Sequence, residues 1–568
     1  MKVKFNIKAL ALLLIFLLCL ISYSNSFKNG FFLDDDQYFF KFPTLNDVST
    51  ASLFYKSFKG FYRPFSVTFL KIELTLFQTT NPFGYHLVNF VLFSIVCWLF
   101  FLILLKLFEN IRWALLSSCL YAIHPINNIF VNYKTASAVL IGILTLQLSL
   151  LLFLYYLERK KRGLYVLSLI FYAFSILSHE TSAILPAYLL MICYFFKEIE
   201  LIELFLIKRT ERPFNVVDPR MGVRSDIKEK LNKGIFRLCL PYFILFFIYL
   251  FIRFNIPEIY QIKHVAISIG PYLATIVKLL FWYFGKLINP QKILFLWDEK
   301  IVDHPHWIEV IGCLMTLISI YIYCWIKGKK NIAAFSIVLF LTGLWPIVLG
   351  SFVYTSKTHT AMIEPHWFGF SSIGFFALMS SMLVYIRKHL NDKAWLGLIC
   401  IPILLNISLT RKSNVFWFDG YTYSSYWHRL NELNGAPTAF LIRKEIELLD
   451  KGLNPRLYAD CSEVANLAHL FFRVEESDTA IKYYEMALDM DEGCIYALYG
   501  LGLVVDDMGN SKKAEQFMLK ALSYRPNFPP LYEFLIDFYQ KQGRKSEALK
   551  VKSLLEEVHK LSLKPASL

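Results

Sequence analysis

The sequence predicts an all-α protein in two parts: a polytopic membrane domain, followed by an α-solenoid of helical repeats. The first part is predicted by several apolar stretches close to the twenty residues that a helix needs to cross a bilayer. They occur in a chain of 568 residues, 56% of them hydrophobic, with a mean hydropathy of +0.46. The second part is predicted by the last third of the chain, which is charged and periodic.

The distribution of charge decides between two classes of partner. A formal net charge of +15 is compatible with nucleic-acid binding. The basic residues, however, cluster between the apolar stretches, where the positive-inside rule puts them in cytoplasmic loops. We therefore expect membrane lipids as partners and no nucleic acid.

The ten cysteines predict no disulfide framework and no metal site. Eight of them lie within apolar stretches and are typical of small core residues. The roles of Cys461 and Cys494 stay open at this point.

Eleven membrane-spanning helices are predicted, with directions set by the basic loops. Lys2, Lys4 and Lys8 before the first helix imitate a signal peptide, but the polytopic chain that follows favours an uncleaved helix running outward. The predicted spans cover about 7–23, 82–108, 112–124, 133–157, 163–178, 181–196, 237–254, 307–326, 331–350, 367–386 and 394–410.

Three segments outside these spans complete the topology. Residues 24–81 form a long polar and aromatic outer loop, and residues 197–236 form a basic cytoplasmic loop. The amphipathic segment 271–288 is predicted to lie in the outer interface, because one more span would move the later basic loops to the wrong side. The C-terminal region is then outside. We expect a bacterial inner-membrane protein with its repeats on the periplasmic side.

The C-terminal repeats have the period of tetratricopeptide repeats, in which paired helices touch at small residues. Two sets of residues recur at steps of 34: Ala480, Ala514 and Ala548, and Leu467, Leu501 and Leu535. The predicted organisation is a membrane domain over 1–412, linker helices over 413–454 and about three repeats over 455–568. Such arrays bind peptides or proteins in a concave groove far more often than they catalyse.

Three adjacent carboxylates, Asp34, Asp35 and Asp36, follow the first apolar span. Packing does not require this arrangement, because each charge raises the cost of ionising its neighbours. Clustered carboxylates of this kind can mark a functional site. They can equally form a solvated loop that caps the first helix, and the sequence leaves both interpretations open.

Other polar residues fall on the same predicted face. Taken singly they have structural explanations, since His124-Pro125 can simply stop a helix and Glu180 can cap one. Together, cations, histidines and carboxylates at one membrane depth suit an anionic, lipid-linked substrate. A transporter would instead carry ionisable groups near the bilayer middle. The candidate substrate-binding residues are Arg63, His124, His179, Glu180, Lys357, His359, Glu364 and His366.

The order of these motifs resembles a known family. The motifs are Leu33-Asp34-Asp35, Tyr62-Arg63-Pro64, residues 81–89, Tyr121-Ala122-Ile123-His124-Pro125, Leu177-Ser178-His179-Glu180-Thr181 and residues 364–375. With the repeats, they resemble the transmembrane and tetratricopeptide-repeat O-mannosyltransferases and their bacterial relatives, over essentially the whole chain. The resemblance implies a GT-C fold and a glycosyltransferase that uses a polyprenyl-phosphate sugar on the outer face. This chain departs from the family pattern at 127–129, 136–137 and His179.

The leading hypothesis is therefore transfer of a sugar from a polyprenyl phosphate to an acceptor, with protein Ser or Thr hydroxyls held by the repeats. Asp35, or failing it Asp34, is the predicted base, because the hydroxyl must lose its proton and the lipid phosphate must leave. Arg63, Lys357, His359 and His366 are the predicted phosphate-side residues. No cofactor is required, and a divalent cation bound by aspartate stays open. The alternatives are a non-enzymatic membrane-anchored repeat scaffold for envelope assembly and an oligosaccharide ligase.

Overall fold

The computed structural model divides the chain into two compact units, Met1–Tyr423 and Ser424–Leu568. It describes residues 7–31, 34–39, 44–78, 82–196, 223–256, 269–293, 297–302, 306–327, 331–353, 360–364, 368–369, 371–418, 422–424, 461–473, 476–526 and 529–562. The predicted linker over 413–454 falls mostly outside these ranges. Within them, the last membrane helix runs on to Val415.

The first unit is helical almost throughout, as predicted. Its helices in chain order are α1 (Ile7–Tyr23), α2 (Asp34–Phe39), α3 (Pro64–Phe77), α4 (Pro82–Phe108), α5 (Ile111–Ile123), α6 (Ile129–Asn132), α7 (Ser137–Arg159), α8 (Arg162–Ile176), α9 (Leu185–Phe195), α10 (Val223–Asn255), α11 (Ile269–Ile288), α12 (Trp307–Lys327), α13 (Ile332–Val353), α14 (Ser372–Ile386) and α15 (Asp392–Val415). Short 3₁₀ turns connect several of them.

Every predicted span coincides with a helix, so the chain is polytopic as predicted, and the number of spans stays a prediction. In the described ranges, seven helices are long and apolar enough to cross a membrane: α1, α4, α7, α10, α11, α12 and α15. The helix α5 followed by Pro125–Asn132, bent by 59°, would make an eighth span. The helices α8 and α9 have 15 and 11 residues. At 1.5 Å per residue they rise about 17 to 23 Å, short of the roughly 30 Å hydrocarbon core.

The amphipathic segment at 271–288 forms α11, which satisfies the same length and hydropathy criterion at the low value of 1.2. Its predicted position in the outer interface stays a prediction. The 59° bend after α5 falls at His124-Pro125, where the sequence predicted a helix stop. Proline there cannot continue the i→i−4 hydrogen-bond ladder.

The outer loop between α1 and α4 contains more regular structure than the sequence predicted. Pro64 starts α3, as its fixed φ favours at the first position of a helix. Aromatic and aliphatic side chains of α2, α3 and the start of α4 form one small core: Tyr38, Phe39, Leu45, Leu53, Phe58, Val67, Leu70, Leu74 and Tyr85. This core holds the aspartate-bearing α2 against the membrane helices.

Two short strands pair across the sequence, which was not predicted. Strand β1 (Trp297–Lys300) lies antiparallel to β2 (Thr360–Ile363), with Trp297 opposite Ile363 and Lys300 opposite Thr360. Both strands belong to segments that the predicted topology places outside. Their pairing requires that these two segments lie on one side of the bundle.

The ends of α1 and α15 are joined by buried asparagines. Asn29 Nδ2 donates to Asn132 Oδ1 at 2.6 Å, and Asn132 Nδ2 donates to Asn414 Oδ1 at 2.8 Å. Asn414 Nδ2 in turn donates to the carbonyl of Ser22 at 2.9 Å. Because both helices run toward this junction, the segments after them leave the bundle at the same end. The predicted odd number of spans requires this arrangement.

The second unit is a stack of helix hairpins. Its helices are α16 (Cys461–Arg473), α17 (Ser477–Met490), α18 (Ile495–Asp507), α19 (Ser511–Tyr524), α20 (Pro529–Lys541) and α21 (Lys545–Ser562). The recurring alanines Ala480, Ala514 and Ala548 are buried where helices touch. Gly509 and Gly543 have φ values of +83° and +76° at the turns after α18 and α20, a conformation that L-residues with a Cβ adopt at a cost.

Candidate functional site

Asp35 lies on α2 with its side chain fully buried. Its Oδ1 accepts a hydrogen bond from the backbone N–H of Thr135 at 2.9 Å, so α2 is tied to the start of α7. The backbone of Asp34 begins α2. The side chains of Asp34 and Asp36 lie outside what the structure describes.

A buried acid–base group surrounds the residue next to Thr135. Lys134 Nζ donates to Glu73 Oε1 at 2.8 Å and to Asn89 Oδ1 at 2.9 Å, and it lies 5.6 Å from the ring centre of Tyr85. The side chains of Lys134 and Glu73 are 0% and 3% exposed. We name Asp35, Glu73, Asn89 and Lys134 the Lys134 cluster.

Burial perturbs both partners of this ion pair. It lowers the pKa of Lys134, and the negative charges of Glu73 and Asp35 oppose that shift. Burial also raises the pKa of Glu73, and the ammonium of Lys134 opposes it. The opposed charges therefore depend on each other to stay ionised in a dry environment. Asp35 contributes to the same balance.

A second acid–base group lies at the start of α3. Arg63 makes a two-pronged contact with Glu180, from Nε to Oε2 at 3.0 Å and from Nη2 to Oε1 at 2.7 Å. Arg253, near the end of α10, brings Nη1 to 4.0 Å from Glu180 Oε2 and donates to the Tyr249 hydroxyl at 3.1 Å. The side chains of Arg63, Glu180 and Arg253 are 14%, 29% and 23% exposed. With His179, we name them the Arg63 cluster.

His179 is buried at the junction between α8 and the turn before α9. Its Nδ1 accepts from the backbone N–H of Thr181 at 3.3 Å and lies 2.9 Å from the Thr181 hydroxyl. Burial and the positive charge of Arg63 lower the pKa of His179 to about 3. The imidazole is therefore neutral at ordinary pH.

Helix α3 connects the two clusters. Arg63 directly precedes α3, and Glu73 follows ten residues later on it, which corresponds to about 15 Å along the axis. The start of α3 is fixed to the end of α8, because Phe65 N donates to the carbonyl of Leu177 and Ser66 Oγ donates to that of Ser178. Ser175 Oγ, at the end of α8, donates to the carbonyl of Gly142, near the start of α7, so both clusters lie at the same end of the bundle.

His124 occupies a different environment from the other predicted site residues. Its Nε2 donates to the carbonyl of Leu287 at 3.2 Å, and its Nδ1 accepts from the N–H of Ile126 at 3.2 Å. The ring packs edge-on against Phe376. Backbone groups thus engage both ring nitrogens, and among the described contacts none joins His124 to either cluster.

The predicted residues of the last outer loop are mostly beyond the described ranges. Lys357, His359 and His366 fall there, so their roles stay predictions. Glu364 directly follows β2 and is half-buried. Among the described residues, no group of three or more His, Cys, Asp or Glu side chains could hold a metal ion.

Four members of these clusters were not among the predicted site residues: Glu73, Asn89, Lys134 and Arg253. Lys134 stands near the His124 motif in sequence, but its partner Glu73 is 61 residues away. Arg253 lies in the last turn of a long apolar helix, and in the sequence it resembles the basic residues that commonly flank membrane spans. A signal was present for Asn89, as the last residue of the 81–89 motif, and for Lys134, as a cation just beyond the His124 motif.

Comparisons with known proteins identify the repeat unit. Residues 495–528, which span α18 and α19, match the tetratricopeptide repeat family. No curated protein is significantly similar to this sequence.

Among solved structures, the fold is similar to the crystal structure of the Archaeoglobus fulgidus oligosaccharyltransferase tethered with an acceptor peptide containing the NVT sequon. The TM-score is 0.38 and the identity 12%, over 77% of this chain and 59% of that one. The present chain thus spans 59% of the length of that protein. At this TM-score the likeness carries no functional inference.

Proposed function

We propose that this chain is a GT-C-type membrane glycosyltransferase that moves a sugar from a polyprenyl-phosphate donor to an acceptor hydroxyl on the outer face of the membrane. One observation carries the proposal: two acid–base clusters, one of which contains the buried carboxylate of Asp35, lie at one end of an apolar helical bundle. The motif order that resembles the transmembrane and tetratricopeptide-repeat O-mannosyltransferases supports the same reaction.

The reaction assigns distinct tasks to the two clusters. The acceptor oxygen attacks the anomeric carbon, the bond from that carbon to the lipid phosphate breaks, and the acceptor proton passes to a carboxylate. Asp35 is the proposed base, with Asp34 as its alternative. Arg63 and Arg253 are proposed to stabilise the departing phosphate, because guanidinium groups bind phosphate oxygens by charge-assisted hydrogen bonds. Lys357, His359 and His366 remain proposed helpers on the phosphate side.

The burial of Asp35 sets a condition for this role. Its Oδ1 bonds to Thr135 N–H, so an acceptor hydroxyl can reach the carboxylate only if α2 shifts away from the start of α7. Apo geometry often tightens or rearranges in the substrate complex. The proposal therefore includes movement of α2 on acceptor binding. His124, with both nitrogens engaged by the backbone, is proposed to hold α11 in place beside the site.

The remaining roles concern partners and location. The repeats are proposed to hold a protein acceptor, in keeping with the binding function typical of such arrays. We propose an inner-membrane location in a bacterium with the repeats on the periplasmic side. No cofactor is proposed, and a divalent cation at Asp35 would show as activity lost on chelation and restored by added metal.

The test is release of polyprenyl phosphate from a panel of radiolabelled polyprenyl-phosphate monosaccharides by the full chain in nanodiscs. Asp35→Asn is expected to slow release about 10²- to 10⁴-fold, the usual contribution of a general base. Asp47→Asn is the matched control, since Asp47 is an exposed carboxylate in the same outer loop, hydrogen-bonded to Thr44.

Three outcomes separate the alternatives. Undiminished release by both Asp35→Asn and Asp34→Asn contradicts the assignment of the base. Cleavage of a polyprenyl-linked oligosaccharide offered in parallel, with the mass of the whole glycan added to an acceptor protein, indicates a ligase. No release from any donor by a folded wild-type chain favours the scaffold.

A further inference from the structure

The repeat unit contains a groove lined by residues to which the proposed function assigns no role. The first helix of each hairpin, α16, α18 and α20, contributes to one cavity of about 270 Å³. Its lining residues are Phe472, Leu503, Asp506, Asp507, Phe534, Asp537, Phe538 and Lys541. The groove therefore combines an apolar wall with three carboxylates and one ammonium.

The apolar wall is built mainly from aromatic rings. Phe534 and Phe538 stack at 5.6 Å between ring centres on α20, and Phe472 faces the cavity from α16. Phe538 is buried, whereas Phe472 and Phe534 are half-buried. Such a wall accepts the flat or aliphatic part of a side chain, and aromatic faces also attract cations.

Two of the carboxylates lie at the end of a helix whose macrodipole is unfavourable to negative charge. Asp506 and Asp507 are the last two residues of α18, at the end where the macrodipole is negative. Asp537 faces the same cavity from α20. Within the described residues, no ion pair or hydrogen bond is found for these three side chains. A cation placed in the groove would relieve their mutual repulsion.

Acidic residues elsewhere in the repeats behave differently. Glu515 and Glu547 both contact Arg544, and Glu515 also accepts from the Tyr539 hydroxyl at 2.7 Å. Arg544 and Tyr539 hold the pKa of Glu515 below its usual value. The array thus pairs those carboxylates with its own cation, whereas Lys541 lines the groove without a described ion pair to Asp506 or Asp507.

We propose that this groove binds an extended segment of a partner protein in which an Arg or Lys side chain lies beside an apolar residue. The cation would sit on Asp506, Asp507 and Asp537, and the apolar side chain would pack against Phe472 and Phe534. The inference rests on the proposed function only in taking that partner to be the acceptor. Binding itself requires no sugar transfer.

The experiment uses the full chain in neutral phosphatidylcholine nanodiscs and a fluorescein-labelled ten-residue peptide with a central Leu-Arg-Leu-Arg. A peptide with Glu in place of Arg is the matched ligand control, and empty nanodiscs report lipid binding. Fluorescence anisotropy should show saturable binding of the Arg peptide and no binding of the Glu peptide. Because the charges are partly exposed, raising salt from 50 to 500 mM should weaken binding.

The variants separate recognition from folding. The isosteric triple change Asp506→Asn, Asp507→Asn and Asp537→Asn should raise the Kd of the Arg peptide about tenfold. Each exposed charge contact contributes less than that alone, and the three together add up to it. In the peptide-free protein the same change should leave the melting temperature unchanged or raise it, since carboxylates leave a helix C-terminus. Asp489→Asn, exposed near the C-terminal end of α17 and outside the groove, should leave peptide binding unchanged.

Several results would overturn the proposal. They are equal binding of the Glu peptide, unchanged binding by the triple variant, an equal loss with Asp489→Asn, or no binding by the wild type. Phe534→Ala provides a second check through the apolar wall and should also weaken the Arg peptide. The outcome is independent of catalysis, because Asp35→Asn should bind the peptide as the wild type does while losing donor cleavage.

Discussion

The Lys134 cluster and the Arg63 cluster have similar chemistry and opposite exposure. Each pairs a cation with a glutamate at the same end of the bundle, and α3 links them. In the first, Lys134 and Glu73 are essentially removed from solvent. In the second, Arg63 and Glu180 keep 14% and 29% of their side-chain surface.

Because of this difference in solvent exposure, we expect the two clusters to have different roles, one in stability and one in binding. A buried pair cannot lose one partner without leaving an uncompensated charge, so the Lys134 cluster fixes structure around Asp35. A partly exposed pair contributes little to stability and can exchange its partner for an incoming anion. We therefore expect substitutions in the Lys134 cluster to act mainly on folding, and those in the Arg63 cluster to act mainly on donor binding.

The largest effect is expected at Lys134. Lys134→Met should leave Glu73 buried without its cation and lower the free energy of unfolding by about 3–5 kcal/mol. The measurement is unfolding of the purified chain in mild detergent. In the double variant Lys134→Met with Glu73→Leu, no buried charge of the pair remains, and most of the loss should be recovered. Equal destabilisation of the single and double variants would contradict a buried ion pair.

A smaller, pH-dependent effect is expected at His179. Its pKa is about 3 in the folded chain, because of burial, against about 6.5 when unfolded. The unfolded state therefore binds the extra proton, and stability should fall as pH drops from about 6.5 toward 3, by about 2 kcal/mol at pH 5. Melting curves between pH 5 and pH 8 measure this.

The control for this pH effect is His179→Gln, which should remove that part of the slope. Above pH 7 the variant and wild type should show parallel pH dependence, since His179 is neutral in both states. A wild-type curve that stays flat between pH 7 and pH 5 would mean that His179 is solvated.

The smallest effect is expected at Arg253, and it should appear in binding. Arg253→Gln leaves the Arg63–Glu180 pair intact, so unfolding should change by less than about 1 kcal/mol. The KM for the polyprenyl-phosphate donor should rise about tenfold if this guanidinium contacts the phosphate. Arg159→Gln is the matched control, because Arg159 also lies 4.0 Å from a glutamate, Glu158, at the opposite end of α7 from the clusters. An equal rise in KM for both variants would remove Arg253 from the site.

The sequence predicted the helical class and the repeats, because these depend on composition and local periodicity. It identified Arg63 and Glu180 separately, but it could not pair them across 117 residues. Glu73 gave no signal at all, since a single carboxylate within a long outer loop looks solvated. Its function in the fold comes from Lys134, which only the tertiary structure brings to it.

Two further differences have similar physical reasons. The strands β1 and β2 have four residues each and come from segments about sixty residues apart, too short and too distant for a periodic signal. The expectation that His124 faces substrate came from its place at a helix end. That role stays a prediction, and in the structure its nitrogens engage the backbone of Ile126 and Leu287, because a buried imidazole needs both a donor and an acceptor partner.

The asparagine junction between α1 and α15 sets an order of events during biosynthesis. Ser22 and Asn414 are separated by 392 residues, and translation at about 5–20 residues per second needs about 20–80 s to cover that distance. During that time, the carbonyl of Ser22 at the end of α1 has to find another partner, whereas Asn29 can already bond to Asn132. This junction between the first and last helices of the bundle can therefore close only after nearly the whole membrane domain has been made.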